Sequence, residues 1–121
     1  MATVIVYAST PFSESDKQRF IDEIGQAVTS SFRLPPAFKT ILLHELPRTN
    51  STPKEDEEIT FFVYTAPGKP LETKRALVGN IQLAAERILT GVKVKTIVII
   101  KEHADENVGV GGKLRLDQNQ G

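Results

Sequence analysis

Residues 59–89, ITFFVYTAPGKPLETKRALVGNIQLAAERIL, decide the fold. A run rich in Ile, Phe, Val and Tyr ends at Pro67-Gly68, and beyond that break Leu77, Val78, Ile81, Ala84, Ala85 and Leu89 fall on one face of a helix. The stretch therefore reads as a strand, a turn and an amphipathic helix. Pro70 suits the first helical position, because its missing N–H is one the helix would leave unbonded.

Shifted by 57 positions, the same text recurs without a gap near the start of the chain. Val6-Tyr7 falls on Val63-Tyr64, Lys17 on Lys74, Ile24 on Ile81, Ala27 on Ala84 and, farther on, Glu45 on Glu102. The apolar positions Phe20, Ile21, Ile24, Ala27, Val28 and Phe32 match the helical face of the second half. A strand over 3–9 precedes a helix over which Ser13 is the expected N-cap, with Glu14 and Asp16 in the first turn where negative charge suits the helix dipole. The helices should end near Pro35-Pro36 and near Gly91. Second strands come at 39–46 and 95–101, so each half is a β-α-β unit with a parallel crossover.

The expected architecture is one α+β (α/β) domain of two such units, 1–46 and 58–103, joined by the polar linker 47–57 and followed by a glycine-rich tail. Two helices can cover only one face of a four-stranded mixed sheet. The strands are nevertheless apolar at consecutive positions, as in Val4-Ile5-Val6-Tyr7 and Phe61-Phe62-Val63-Tyr64, so the second face needs a cover, and another copy of the chain is the expected one. In the tail, NVGVGG at 107–112 reads as a turn, and 116–121 are expected to fray.

Composition narrows the function. Lys plus Arg and Asp plus Glu both total 15 in 121 residues and are spread along the chain, which leaves no basic field for nucleic acid or an anionic membrane. No cysteine is present, which excludes a thiol nucleophile and thiolate metal sites. His44 and His103 lack companions at ligand spacing, so no metal is expected, and the Gly109–Gly112 run has no helix after it to make a nucleotide loop. No stretch is long and apolar enough to span a membrane, and the protein is read as soluble and cytoplasmic.

The second half, APGKPLETKRALVGNIQLAAERI followed by TIVIIKEHADENVGVGGKL, resembles a 4-oxalocrotonate tautomerase subunit. The first half, with its VYAS strand end and longer loop, is more similar to the fused members, such as cis-3-chloroacrylic acid dehalogenase and malonate semialdehyde decarboxylase. The resemblance covers nearly the whole chain. It implies a tautomerase/MIF-like fold, a homotrimer packed through its sheets, no metal or organic cofactor, and a site at the start of the first strand. There the family's N-terminal proline serves as base or acid while cations hold a small keto acid.

Ala2 stands where the family has that proline. With Met1 removed, Ala2 would present a primary amine that still titrates near neutral pH; a retained Met1 would carry the amine out of the pocket. Lys69 replaces the arginine of the family's Gly-Arg-Ser motif, and the strand arginine falls on Thr40 or Ile97. Glu106 lies near the dehalogenase's water-activating glutamate. These correspondences make Ala2 and Glu106 the expected catalytic residues and Lys69 an expected ligand-binding one; Tyr64 and Arg115 are the other expected ligand-binding residues, with Arg115 placed to reach a neighbouring subunit's pocket in a trimer. The implied activity is proton transfer or hydration on a small carboxylated keto, enol or unsaturated acid. The competing readings are a weakly active or inactive trimer that binds a small acid or a protein partner, and a ferredoxin-like binding domain with an antiparallel sheet.

Overall fold

The computed structural model describes residues 1–118; residues 119–121, part of the tail expected to fray, lie outside them. Its elements are β1 (Ala2–Ala8), α1 (Glu14–Phe32), β2 (Lys39–Glu45), β3 (Glu57–Thr65), α2 (Leu71–Ile88), β4 (Val94–Glu102), the short pair β5 (Gly109–Val110) and β6 (Lys113–Leu114), and α3 (Arg115–Gln118). Residues 116–118, expected to fray, close the one turn of α3 instead, where Gln118 Nε2 donates to the carbonyls of Val110 and Lys113 at 2.8 and 3.3 Å.

The main sheet has the order β2-β1-β3-β4, parallel within each unit and antiparallel between β1 and β3. Its register follows the repeat. Ala2 pairs with Lys39 and Ile59 with Thr96, while at the antiparallel seam Ile5 pairs with Phe62, its own repeat partner. The two units are thus related by a twofold through that pair. This mixed sheet with both helices on one face is the architecture the repeat implies, and the antiparallel ferredoxin-like alternative is not what forms.

Ser13 caps α1 as the sequence indicates, its Oγ accepting the Asp16 N–H at 3.2 Å. Pro70 is the residue before α2 rather than its first, with extended backbone (ψ 154°). Arg33 ends α1 in the left-handed region (φ 55°), where its N–H and that of Leu34 both close on the Thr29 carbonyl. A Cβ is unwelcome in that conformation. Arg33→Gly is therefore expected to raise stability by about 1 kcal/mol, read as a higher denaturant midpoint with an unchanged slope.

Alternation decides the core. Val4, Val6, Ile59, Phe61 and Val63 point to the helices and are fully buried against Phe20, Ile24, Val28, Leu77 and Ile81. Each of these side chains contributes on the order of 1.5–3 kcal/mol by leaving water. Gln82 fastens α2 to β4, donating to the Val94 carbonyl at 2.8 Å and accepting from the N–H and hydroxyl of Thr96 at 3.0 and 2.7 Å. Its repeat counterpart is Gly25, and the space a Cβ would need there is taken by the Lys39 stem.

The opposite sheet face is uncovered. Leu42, Ile5, Phe62 and Ile99 are register partners and form one apolar row across all four strands, with Leu42 50% and Ile99 42% exposed. No helix among the described residues is long and apolar enough to cross a membrane.

Candidate functional site

The duplication creates two equivalent hollows, one at each end of the β1–β3 seam. One is lined by Tyr7, Ala8, Ser9 and Leu46, and the other by their repeat partners Tyr64, Thr65, Ala66 and His103. The first, about 860 Å³, opens beneath the linker. Its cations are already engaged: Arg48 holds Glu57 at 2.7 Å and Lys54 holds Glu58 at 3.6 Å. With Asp56 also in its wall, carboxylates outnumber cations in this lining, and both cations are paired.

The second hollow, about 80 Å³, lies where β1 begins, and Met1, Thr3, Asp105, Val108 and Arg115 complete its lining. Burial holds the Met1 α-amine there below its usual pKa, and the positive charges of Arg115 and Lys69 act in the same direction, against Asp105. An amine lowered in this way is neutral over more of the physiological range and can accept a proton. A retained Met1 does not carry the amine out of the pocket, as the sequence suggests it would, because Met1 lines the same wall and is itself partly buried.

Of the residues expected to form the site, the fold brings Tyr64 and Arg115 into this lining; Ala2, 1% exposed, packs in the core and is not among the lining residues, although Met1 and Thr3 on either side of it are. Arg115 arrives because the β5–β6 turn reverses the chain, its N–H bonding the Val108 carbonyl at 2.8 Å. Its Nε lies 3.8 Å from Asp105. Glu106 is not among the lining residues; it is exposed on the one-turn 3₁₀ helix Asp105–Asn107, whose geometry sends Asp105 inward in its place.

Lys69 also falls outside the lining. Its ammonium, expected to meet a substrate carboxylate, lies over the Phe32 ring at 5.3 Å, and its N–H approaches Glu102 at 3.5 Å. Glu102 is taken a second time by Lys74 at 3.1 Å, and the repeat partners Lys17 and Glu45 make the same pair at 2.8 Å. Glu45, with help from Glu14, pushes the Lys17 pKa up to about 12. Lys17 and Lys74 thus close each crossover. The identities at Lys17/Lys74 and Glu45/Glu102 were the signal for that pairing.

His44 and His103 are not repeat partners, yet each ring packs on the tyrosine of its own unit, at 5.4 Å from Tyr7 and 5.6 Å from Tyr64. Among the described residues no group of three or more His, Cys, Asp or Glu side chains is placed to hold a metal.

The ion pairs give a pH dependence. Arg48 first, then the Thr10 hydroxyl, hold the Glu57 carboxyl below the usual range, and Lys74 first, then the Lys69 N–H, do so for Glu102. A depressed folded pKa contributes stability that is complete above the unfolded value of about 4.3 and is lost as pH falls through the folded one. The melting temperature is expected to fall from pH 5 toward pH 3, and Glu57→Gln should flatten that fall while lowering the plateau at pH 7.

No family model matches the chain, and no curated protein matches it. Solved structures do. The chain is 24% identical to a fused 4-OT solved as a wild-type asymmetric trimer, with a TM-score of 0.84 over 98% of this chain and 99% of that one. It is 22% identical, over the same shares and at a TM-score of 0.83, to a protein inactivated by 2-oxo-3-pentynoate. It is 17% identical to malonate semialdehyde decarboxylase inhibited by 3-bromopropiolate, with a TM-score of 0.76 over 90% of this chain and 88% of that one. At these identities the likeness is one of fold, and the chain adopts the fold of the fused 4-OT proteins, a tautomerase fold shared with malonate semialdehyde decarboxylase.

Proposed function

We propose that the chain is a tautomerase-superfamily protein, one domain of two fused units, that acts on a small carboxylated keto, enol or unsaturated acid through the α-amine at the start of β1. The observation that carries this reading is the N-terminal hollow, where the Met1 amine, one residue ahead of the Ala2 nitrogen, is held below its ordinary pKa and shares one small cavity with the Arg115 guanidinium. Two structural neighbours were solved after reaction with or inhibition by small unsaturated acids, 2-oxo-3-pentynoate and 3-bromopropiolate, which supports an acid of that size.

In the proposed reaction Arg115 binds the carboxylate, to which its planar fork is matched. The neutral amine takes the proton of the enol hydroxyl, and the resulting ammonium delivers a proton to carbon as the ketone forms. A free Ala2 amine lacks proline's ring but has the same task and a comparable pKa range. The uncovered row Leu42–Ile5–Phe62–Ile99 supports a homotrimer, the assembly in which the fused 4-OT neighbours were solved.

One observation favours the second reading, a trimer that binds an acid with little turnover. Glu102 occupies the Lys69 N–H, and Arg115 already faces Asp105. The deciding experiment is intact mass spectrometry of the protein from its native host, followed by ketonisation assays of phenylenolpyruvate and 2-hydroxymuconate with wild type, Ala2→Pro and Arg115→Ala. Turnover by a chain lacking Met1, lost in Arg115→Ala, upholds the enzyme. Turnover confined to Ala2→Pro removes the amine mechanism and leaves the binding role.

A further inference from the structure

The two halves act as controls for each other at the N-terminal hollow. Ala8 and Thr65 are repeat partners, both buried, and both line their respective cavities. Where one half carries a methyl, the other carries a hydroxyl. Thr65 Oγ1 is buried without a hydrogen-bond partner, alone in this among the buried side-chain nitrogen and oxygen atoms of the described residues. An orphan of this kind costs stability and calls for a physical reason.

The β1–β3 ladder supplies one. Ala8 faces Ile59 across the seam, and Thr65 faces Ala2. Ile59 lies inside the chain, so its nitrogen is always a peptide N–H committed to local bonding. In a chain beginning at Ala2, the equivalent nitrogen becomes an amine with further hydrogens to place, and directly opposed residues present their side chains on one face. We propose that Thr65 is a positioning residue for the Ala2 amine, its Oγ1 accepting one N–H so that the nitrogen lone pair faces the cavity. This rests on the amine mechanism and assigns a role to a residue outside it. The charged and titratable groups at this end of β1 are Arg115 on α3, Asp105 on the 3₁₀ turn and Lys69 before α2, all of which act on the Met1 amine, Tyr64 and His103 in the lining, and Lys39 opposite Ala2 on β2, whose ammonium donates to the Pro36 carbonyl.

The test uses chains released from a cleavable N-terminal fusion so that they start at Ala2, labelled with ¹⁵N-alanine, and follows the amine resonance through pH. A hydrogen bond to the charged form favours that form. The midpoint in Thr65→Val is therefore expected at least half a pH unit lower than in wild type, with Thr65→Ser restoring it and Thr65→Ala, the residue of the other half, behaving like valine. Thr65→Val should lower the melting temperature of the chain starting at Ala2, and leave it unchanged or raised when Met1 is kept. If the wild type turns over substrate, kcat should drop about tenfold with KM nearly constant. Equal midpoints in wild type and Thr65→Val, or an equal loss of melting temperature with and without Met1, would overturn the assignment. Absence of turnover would instead remove the enzymatic reading and leave the titration to decide the role of Thr65.

Discussion

Phe61→Ala is expected to cost about 3–5 kcal/mol, the range for emptying a phenylalanine site in a packed core. Phe61 is fully buried on the helix side of β3, 6.1 Å from the Phe20 ring, which in turn lies 5.0 Å from Phe12. The aromatic chain ties β3 to α1, an element of the other unit, so the cavity would open at the junction of the two halves, where neither can relax without the other. With total stabilities of about 5–15 kcal/mol for single domains, the variant would sit near its threshold. The check is a urea titration of wild type and variant. A midpoint change worth under about 1 kcal/mol would mean that the Phe20–Phe61 contact does not hold the halves together.

The adjacent residue should behave differently. Phe62 points to the uncovered face, where it pairs with Ile5 and Ile99 and meets the Tyr7 ring edge-on at 6.0 Å. In one chain Phe62→Asp costs about 1–3 kcal/mol, because the half-buried ring gives up its contacts with Ile5, Ile99 and Tyr7 and aspartate is a poor strand residue. In the proposed trimer it would place a carboxylate in the middle of a desolvated apolar interface, a cost of several kcal/mol for every copy. Light scattering is expected to show three chains for wild type and one for the variant, with far-ultraviolet circular dichroism unchanged. A wild type that is already monomeric at micromolar concentration would remove the sheet-face trimer.

The pair Phe61 and Phe62 shows why the fold was readable and the site was not. Strand and helix periods are properties of the local backbone, so an apolar pattern repeated at 57 positions carries the crossover with it and makes the two units alike. Two adjacent phenylalanines announce burial on both faces, and the alignment of the units requires that Ala2↔Lys39 in one be matched by Ile59↔Thr96 in the other, while the register itself is set by the folded sheet. The need for a cover on the second face was visible for the same reason.

Polar side chains obey no such period. Lys69 stands at the motif position for a carboxylate ligand, but Glu102, 33 residues away, reaches its N–H first. Glu106 and Asp105 are neighbours in the chain, and the phase of a three-residue 3₁₀ turn selects which of them enters the hollow. Thr65 gave no warning, because a threonine at a strand end is ordinary until the ladder sets it, without a partner, opposite Ala2. Legible in the chain were the duplicated units, their order and the apolar face left open. The tertiary structure alone decided which charges were spent on one another and which remained around the amine. Burial patterns are written in local periodicity, whereas a charge is satisfied by whichever partner the folded chain brings within about 3 Å.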